Sequence, residues 1–141
     1  KLNTIDCDFV GNPVMLVYDS ILRGTTSRRI IDMAKEAGAK QVFFASSAPP
    51  IIHPNVYGID MPARAEYVAH DRSIKEIAEN IGADWLIYQE LEDLVEACLG
   101  EGQDKPANFD CSCFDGVYVT GGITEEYLSR LESSRNDAAK T

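Results

Sequence analysis

The chain has 141 residues, 45% of them hydrophobic, and sets 13 Lys and Arg against 23 Asp and Glu for a formal net charge of −10. This length and apolar fraction suit one domain with an ordinary core. The acidic balance argues against a nucleic-acid surface, which needs clustered cations, and no apolar run approaches the roughly 20 residues of a membrane-spanning helix.

The opening Lys1-Leu2-Asn3-Thr4-Ile5-Asp6 lacks the basic-then-apolar pattern of a secretion signal, so a cytoplasmic location is expected. It also lacks an initiator Met, as a cut end would. Val14-Met15-Leu16-Val17 is a continuous apolar run that predicts a strand buried on both faces. A loop rich in Ser, Gly and Thr follows, from Asp19 to Ser27. Ile30, Ala34 and Ala37, widened by Ile31 and Met33, predict a helix capped by Thr25 or Thr26 and stopped at Gly38. Val42 to Ala45 predicts a second buried strand.

Ser46 to Pro62 is rich in Pro and Gly and is expected to be a long functional loop, with a short helix from Ala63 to Ala69. Ser73 and Glu76 fit a capping box that opens a helix ending near Gly82. Trp85 to Tyr88 predicts the third strand, with Trp85 assigned to the core. Leu91 to Leu99 predicts a helix stopped by Gly100, and Glu90, Glu92, Asp93 and Glu96 a solvated face of it. Glu101 to Asn108 is expected to be mobile, Val117 to Thr120 extended, and a last helix capped by Thr124, with Ser133 to Thr141 frayed. His53 and His70 are assigned to loop packing or surface. Four cysteines, Cys7, Cys98, Cys111 and Cys113, are too few and scattered for a disulfide framework and read as reduced, partly buried thiols, with a metal site as the minor option.

Alternating strands and helices give an α/β fold with a mainly parallel sheet flanked by helices. Three strands are few for such a sheet, so the N-terminal part of the domain is expected to lie before Lys1. In open parallel sheets ligands bind beyond the carboxyl ends of the strands, which is where Asp19 to Ser27 falls. Gly24 admits close backbone approach, Thr25, Thr26 and Ser27 add hydroxyls, and the following helix aims free N–H groups at the loop. This chemistry suits a phosphate monoester, while Asp19 suits a ribose hydroxyl or a hydrated magnesium ion. The same residues also suit a plain turn and helix cap, and the P-loop spacing is absent.

The run Val14-Met-Leu-Val-Tyr-Asp-Ser-Ile-Leu-Arg-Gly-Thr-Thr-Ser27 resembles the phosphoribosyl pyrophosphate (PRPP) motif of type I phosphoribosyltransferases, and its Ser-Ile-Leu-Arg-Gly-Thr-Thr-Ser form is similar to that of the amidophosphoribosyltransferases. Further segments resemble the same family in order: Lys1-Leu2-Asn3, Ala34 to Lys40, Phe44 to Pro50, Pro54 to Pro62, Ile81 to Asp84 and Phe109 to Thr120. The resemblance implies that residues 1–141 are the C-terminal part of a phosphoribosyltransferase domain, with 122–141 its terminal helix and tail. It implies formation of phosphoribosylamine and pyrophosphate from PRPP and glutamine-derived ammonia, the first step of de novo purine synthesis. It also implies a magnesium cofactor, purine nucleotide inhibitors, an N-terminal glutaminase domain in the same chain, and a homo-oligomer. Carried over, Asp19, Ser20, Arg23, Gly24, Thr25, Thr26 and Ser27 bind substrate, and Asp19 with Tyr18 stands at the metal position.

Two departures bear on this. Tyr18 stands where the family usually has Asp, and a phenol is neutral at pH 7 and a poorer magnesium ligand than a carboxylate. The alternative reading is therefore a binding module that has lost turnover, and the fragment alone is expected to be inactive. Iron–sulfur members of the family use Cys at positions that hold Asn55 and Asp110 here, with Cys113 at a third, so no cluster is expected. Tyr57, Asp60 and Met61 are expected to lie in a loop bordering the site, on the ammonia or acceptor side, with a packing role equally open for Tyr57.

Overall fold

The structure, a computed structural model, describes residues 9–100 and 105–138. Three parallel strands, β1 (Pro13–Tyr18), β2 (Gln41–Ser46) and β3 (Trp85–Tyr88), form a sheet in that order. The α/β class and the three expected strands are all present. Side chains alternate across a strand, so the register divides the sheet into two faces. Leu16 pairs with Phe44, which pairs with Leu86; Met15 pairs with Phe43, which pairs with Trp85.

The first face is covered. Helix α1 (Thr25–Glu36) and helix α2 (Ile74–Ile81) bring Ile31, Ala34, Ile77, Ala78 and Ile81 into one cluster with Val42, Phe44, Leu86 and Tyr88. Burial drives the Tyr88 phenol up to about 12. The second face carries Met15 at 55% exposure, Val17 at 70%, Trp85 at 49% and Ile87 at 45%. The strand runs were expected to be buried on both sides and Trp85 to be core. Instead, both covering helices lie on one face, and no layer covers Trp85 among the described residues.

Local signals explain most boundaries. Gly38, at φ 93°, follows α1 and donates to the Lys35 carbonyl. Ser73 caps α2: its Oγ accepts from Glu76 N–H at 3.3 Å, and Glu76 Oε2 accepts from Ser73 N–H at 2.8 Å. Helix α3 (Leu91–Leu99) keeps Glu92, Asp93 and Glu96 exposed, as does Glu90 before it. Thr124 Oγ1 accepts from Tyr127 N–H at 3.2 Å and caps α5 (Glu125–Ala138).

Four expectations are corrected. The cap of α1 is Gly24, at φ 77°, with Thr25 and Thr26 inside the first turn; a left-handed cap selects glycine over a β-branched residue. Ala63 to Ala69 holds only a 3₁₀ turn at Arg64–Glu66, because Tyr67 is extended and buries its ring completely. Val117 to Thr120 ends in a turn and pairs with no strand among the described residues, and a short helix, α4 (Ser112–Asp115), precedes it unannounced. Helix α5 continues to Ala138 rather than fraying at Ser133. Part of the expected mobile stretch (101–104), Cys7, and the last three residues lie outside the described residues. Among the described residues no helix is long and apolar enough to cross a membrane.

Candidate functional site

Every residue from Tyr18 to Ser27 lines one cavity of about 370 Å³ at the carboxyl end of β1. All the sequence-designated positions, Tyr18, Asp19, Ser20, Arg23, Gly24, Thr25, Thr26 and Ser27, are therefore brought together. The loop is pinned from three sides. Ser47 N–H donates to the Tyr18 carbonyl at 2.8 Å, and Ser47 Oγ to the same carbonyl at 3.1 Å. Ile21 is buried to 1% exposure in the main core. The Leu22 carbonyl accepts from Val68 N–H at 2.7 Å.

Gly24 is required twice over. Its φ of 77° lies where side chains are disfavoured, and a Cβ there would stand 3.0 Å from Val68 Cγ2 and 3.1 Å from Ile81 Cγ2. Helix α1 has no side-chain cap, and its first inward bond runs from Arg28 N–H to the Gly24 carbonyl at 2.9 Å. The N–H groups of Thr25, Thr26 and Ser27 consequently donate to nothing among the described residues. Three unpaired donors and the positive end of a twelve-residue helix meet at the cavity, which is an anion-binding arrangement.

The side chains differ in how they face this space. Asp19 is exposed, and one oxygen, Oδ1, accepts from Ser20 N–H at 2.8 Å, while Oδ2 accepts from no group among the described residues. The Tyr18 ring packs toward the covered face, 6.1 Å from the Phe44 ring. Arg23 Nε lies 3.2 Å from Glu66 Oε2. Ser27 is 2% exposed yet still borders the cavity. Glu66, Val68 and Ile81, which support the loop from outside, carry no sequence signal linking them to it, since the contacts are long-range.

Tyr57, Asp60 and Met61 do not line this cavity. Tyr57 contributes its hydroxyl, 3.2 Å from Thr120 Oγ1, and its ring, 6.4 Å from Tyr118. Met61 is buried, its sulfur accepting from Asn55 N–H at 3.2 Å and 3.9 Å from Cys113 Sγ. Asn55 Oδ1 accepts from the N–H groups of Tyr57 and Ile59 at 2.8 and 3.1 Å, so its amide builds the loop. Burial pushes the Cys113 thiol up, away from the thiolate. Among the described residues no three His, Cys, Asp or Glu side chains gather as a metal site. His53 packs over Gly116, and burial lowers its pKa; His70 meets Asp71 at 3.4 Å.

No family model matches the chain. The amidophosphoribosyltransferase of Pseudomonas aeruginosa is 57% identical over 140 residues, covering 99% of this chain and 28% of the relative. The solved glutamine PRPP amidotransferase from B. subtilis, complexed with ADP and GMP, superposes with a TM-score of 0.74 at 40% identity, covering 86% of this chain and 27% of that one. A second solved structure, of the allosteric regulatory enzyme of purine biosynthesis, gives a TM-score of 0.73 at 38% identity over 91% of this chain and 28% of that one. The chain thus spans little more than a quarter of the length of the proteins it matches.

Proposed function

We propose that this chain, a homologue of one segment of the amidophosphoribosyltransferases, is the C-terminal part of a phosphoribosyltransferase domain and serves the synthesis of phosphoribosylamine from PRPP and ammonia. Residues 1–141 form that part, with 122–141 its terminal helix and tail. The observation that carries this reading is the cavity walled by Tyr18 to Ser27, at which α1 begins without a side-chain cap.

The free N–H groups of Thr25, Thr26 and Ser27 would hold the 5-phosphate, with Arg23 adding a charge-assisted bond. The open oxygen of Asp19 would take a ribose hydroxyl or a magnesium-bound water. Magnesium keeps several waters and binds one or two carboxylates plus substrate phosphates, so the single carboxylate of Asp19 fits it. Tyr18 packs its ring on Phe44, and a phenol is a poorer magnesium ligand than a carboxylate. When bound, the ion supplies charge neutralisation on the leaving pyrophosphate.

In the reaction the lone pair of ammonia forms the C–N bond at the anomeric carbon as the C–O bond to pyrophosphate breaks. Pyrophosphate takes that electron pair, and the amine sheds a proton. The chain's contribution is to hold the sugar phosphate in line and limit its motion, and a general base is not needed. Glutamine-derived ammonia from an N-terminal glutaminase, regulation by purine nucleotides, a homo-oligomer and a cytoplasmic setting belong to the same reading. An iron–sulfur cluster does not, because of the three matching positions only Cys113 offers sulfur, and clusters need several thiolates.

Calorimetry of the chain with PRPP, with and without magnesium, tests the reading; saturable magnesium-assisted binding is expected, and no binding under either condition refutes it. Tyr18 favours one rival, a module that binds without turnover. Glutamine-dependent pyrophosphate release by the full-length protein carrying this segment separates the two, and Tyr18→Asp should raise that release if Tyr18 is the lesion.

A further inference from the structure

We infer that Glu66 is a positioning residue that holds the Arg23 guanidinium ready for the phosphate without itself entering the cavity; this rests on the phosphate-binding reading above. Arg23 lines the cavity and Glu66 does not. Glu66 Oε2 forms an ion pair with Arg23, 3.2 Å from its Nε. An ion pair on the Nε side keeps the guanidinium close to the loop, and a guanidinium has five N–H donors, enough to meet an anion in bidentate fashion as well.

Glu66 is itself anchored. Its Oε1 accepts from Ala63 N–H at 3.3 Å, and its own N–H donates to the Ala63 carbonyl at 2.9 Å. Arg64 N–H, in the same turn, donates to Glu132 Oε1 of α5 at 2.9 Å. Two residues on, Val68 N–H holds the Leu22 carbonyl, and the Val68 side chain packs beneath Gly24. One segment thus fixes the backbone of the loop and aims its cation. A 3₁₀ turn suits this better than the helix expected from sequence, because it ends in time for Tyr67 and Val68 to turn inward.

The pair is half exposed, at 52% and 50%, so its effect is modest and sensitive to salt. The test is the affinity of the chain for ribose 5-phosphate by calorimetry, in wild type, Glu66→Ala, Glu66→Gln, Arg23→Ala and the double variant Arg23→Ala with Glu66→Ala. Glu66→Ala is expected to weaken binding about threefold to fivefold at low ionic strength, with the loss shrinking as salt rises. Glu66→Gln, which keeps the shape, should lose less. With Arg23→Ala in place, Glu66→Ala should change nothing further. Binding as tight as wild type or tighter in Glu66→Ala, or an equal loss in the Arg23→Ala background, overturns the positioning role while leaving the cradle intact. Absence of ribose 5-phosphate binding in the wild type overturns the cradle and this inference with it.

Discussion

Gly24 is where sequence, backbone and site meet most tightly. A left-handed φ costs an ordinary side chain about 1–2 kcal/mol, and the Val68 and Ile81 methyl groups leave no room for a Cβ. Gly24→Ala should therefore lower stability by about 2 kcal/mol, read as a fall in thermal midpoint, and should weaken phosphate binding as the loop shifts. A variant that melts as wild type does would show that the loop is not locked by Gly24. Asp19 makes a different prediction. Because only one of its oxygens is engaged among the described residues, Asp19→Asn should leave the fold intact and abolish most of the magnesium dependence of PRPP binding, measured by titrations with and without the ion. The residues of this loop were legible because their chemistry is local: glycine, hydroxyls and one carboxylate directly after an apolar strand. Glu66 was not, since its partner lies far along the chain and a lone Glu in a polar turn carries no pattern.

Elements were legible to the extent that they carry their own caps. Helix α2 announced itself through Ser73 and Glu76, and the structure shows both reciprocal bonds. Those bonds hold the Glu76 carboxyl below its usual value, chiefly through the Ser73 hydroxyl and then the Ser73 N–H. A carboxyl with a depressed folded pKa contributes stability that is fully present above its unfolded value and lost as pH falls through the folded one. Melting curves should therefore decline as pH drops below the ordinary glutamate range, and Ser73→Ala should shrink that acid-side decline; an unchanged pH profile in the variant would contradict this. Where packing decides, the local reading failed. The segment at Ala63 to Ala69 has helical spacing, yet burial of Tyr67 ends its helix after one turn. Val117 to Thr120 is apolar enough for a strand but pairs with no strand among the described residues.

For the whole molecule, the apolar strand runs identified the sheet but not which faces are covered. A parallel sheet is normally covered on both faces, and here Met15, Val17, Trp85 and Ile87 stand open on one. That open face, with a length little more than a quarter of the matched relatives, supports the reading that a further layer comes from the rest of a longer protein. Trp85 is the sole tryptophan and reports on it directly. Its fluorescence in the isolated chain should be solvent-exposed and quenchable, and should become shielded in the full-length protein; equal quenching in both would remove this support. Above all, the account depends on an anion resting on the N-terminus of α1. Amide chemical shifts of the chain titrated with ribose 5-phosphate test this most directly. Saturable shifts concentrated at Gly24, Thr25, Thr26 and Ser27 are predicted, and amides that stay still there while others move, or no saturable change at all, would contradict it.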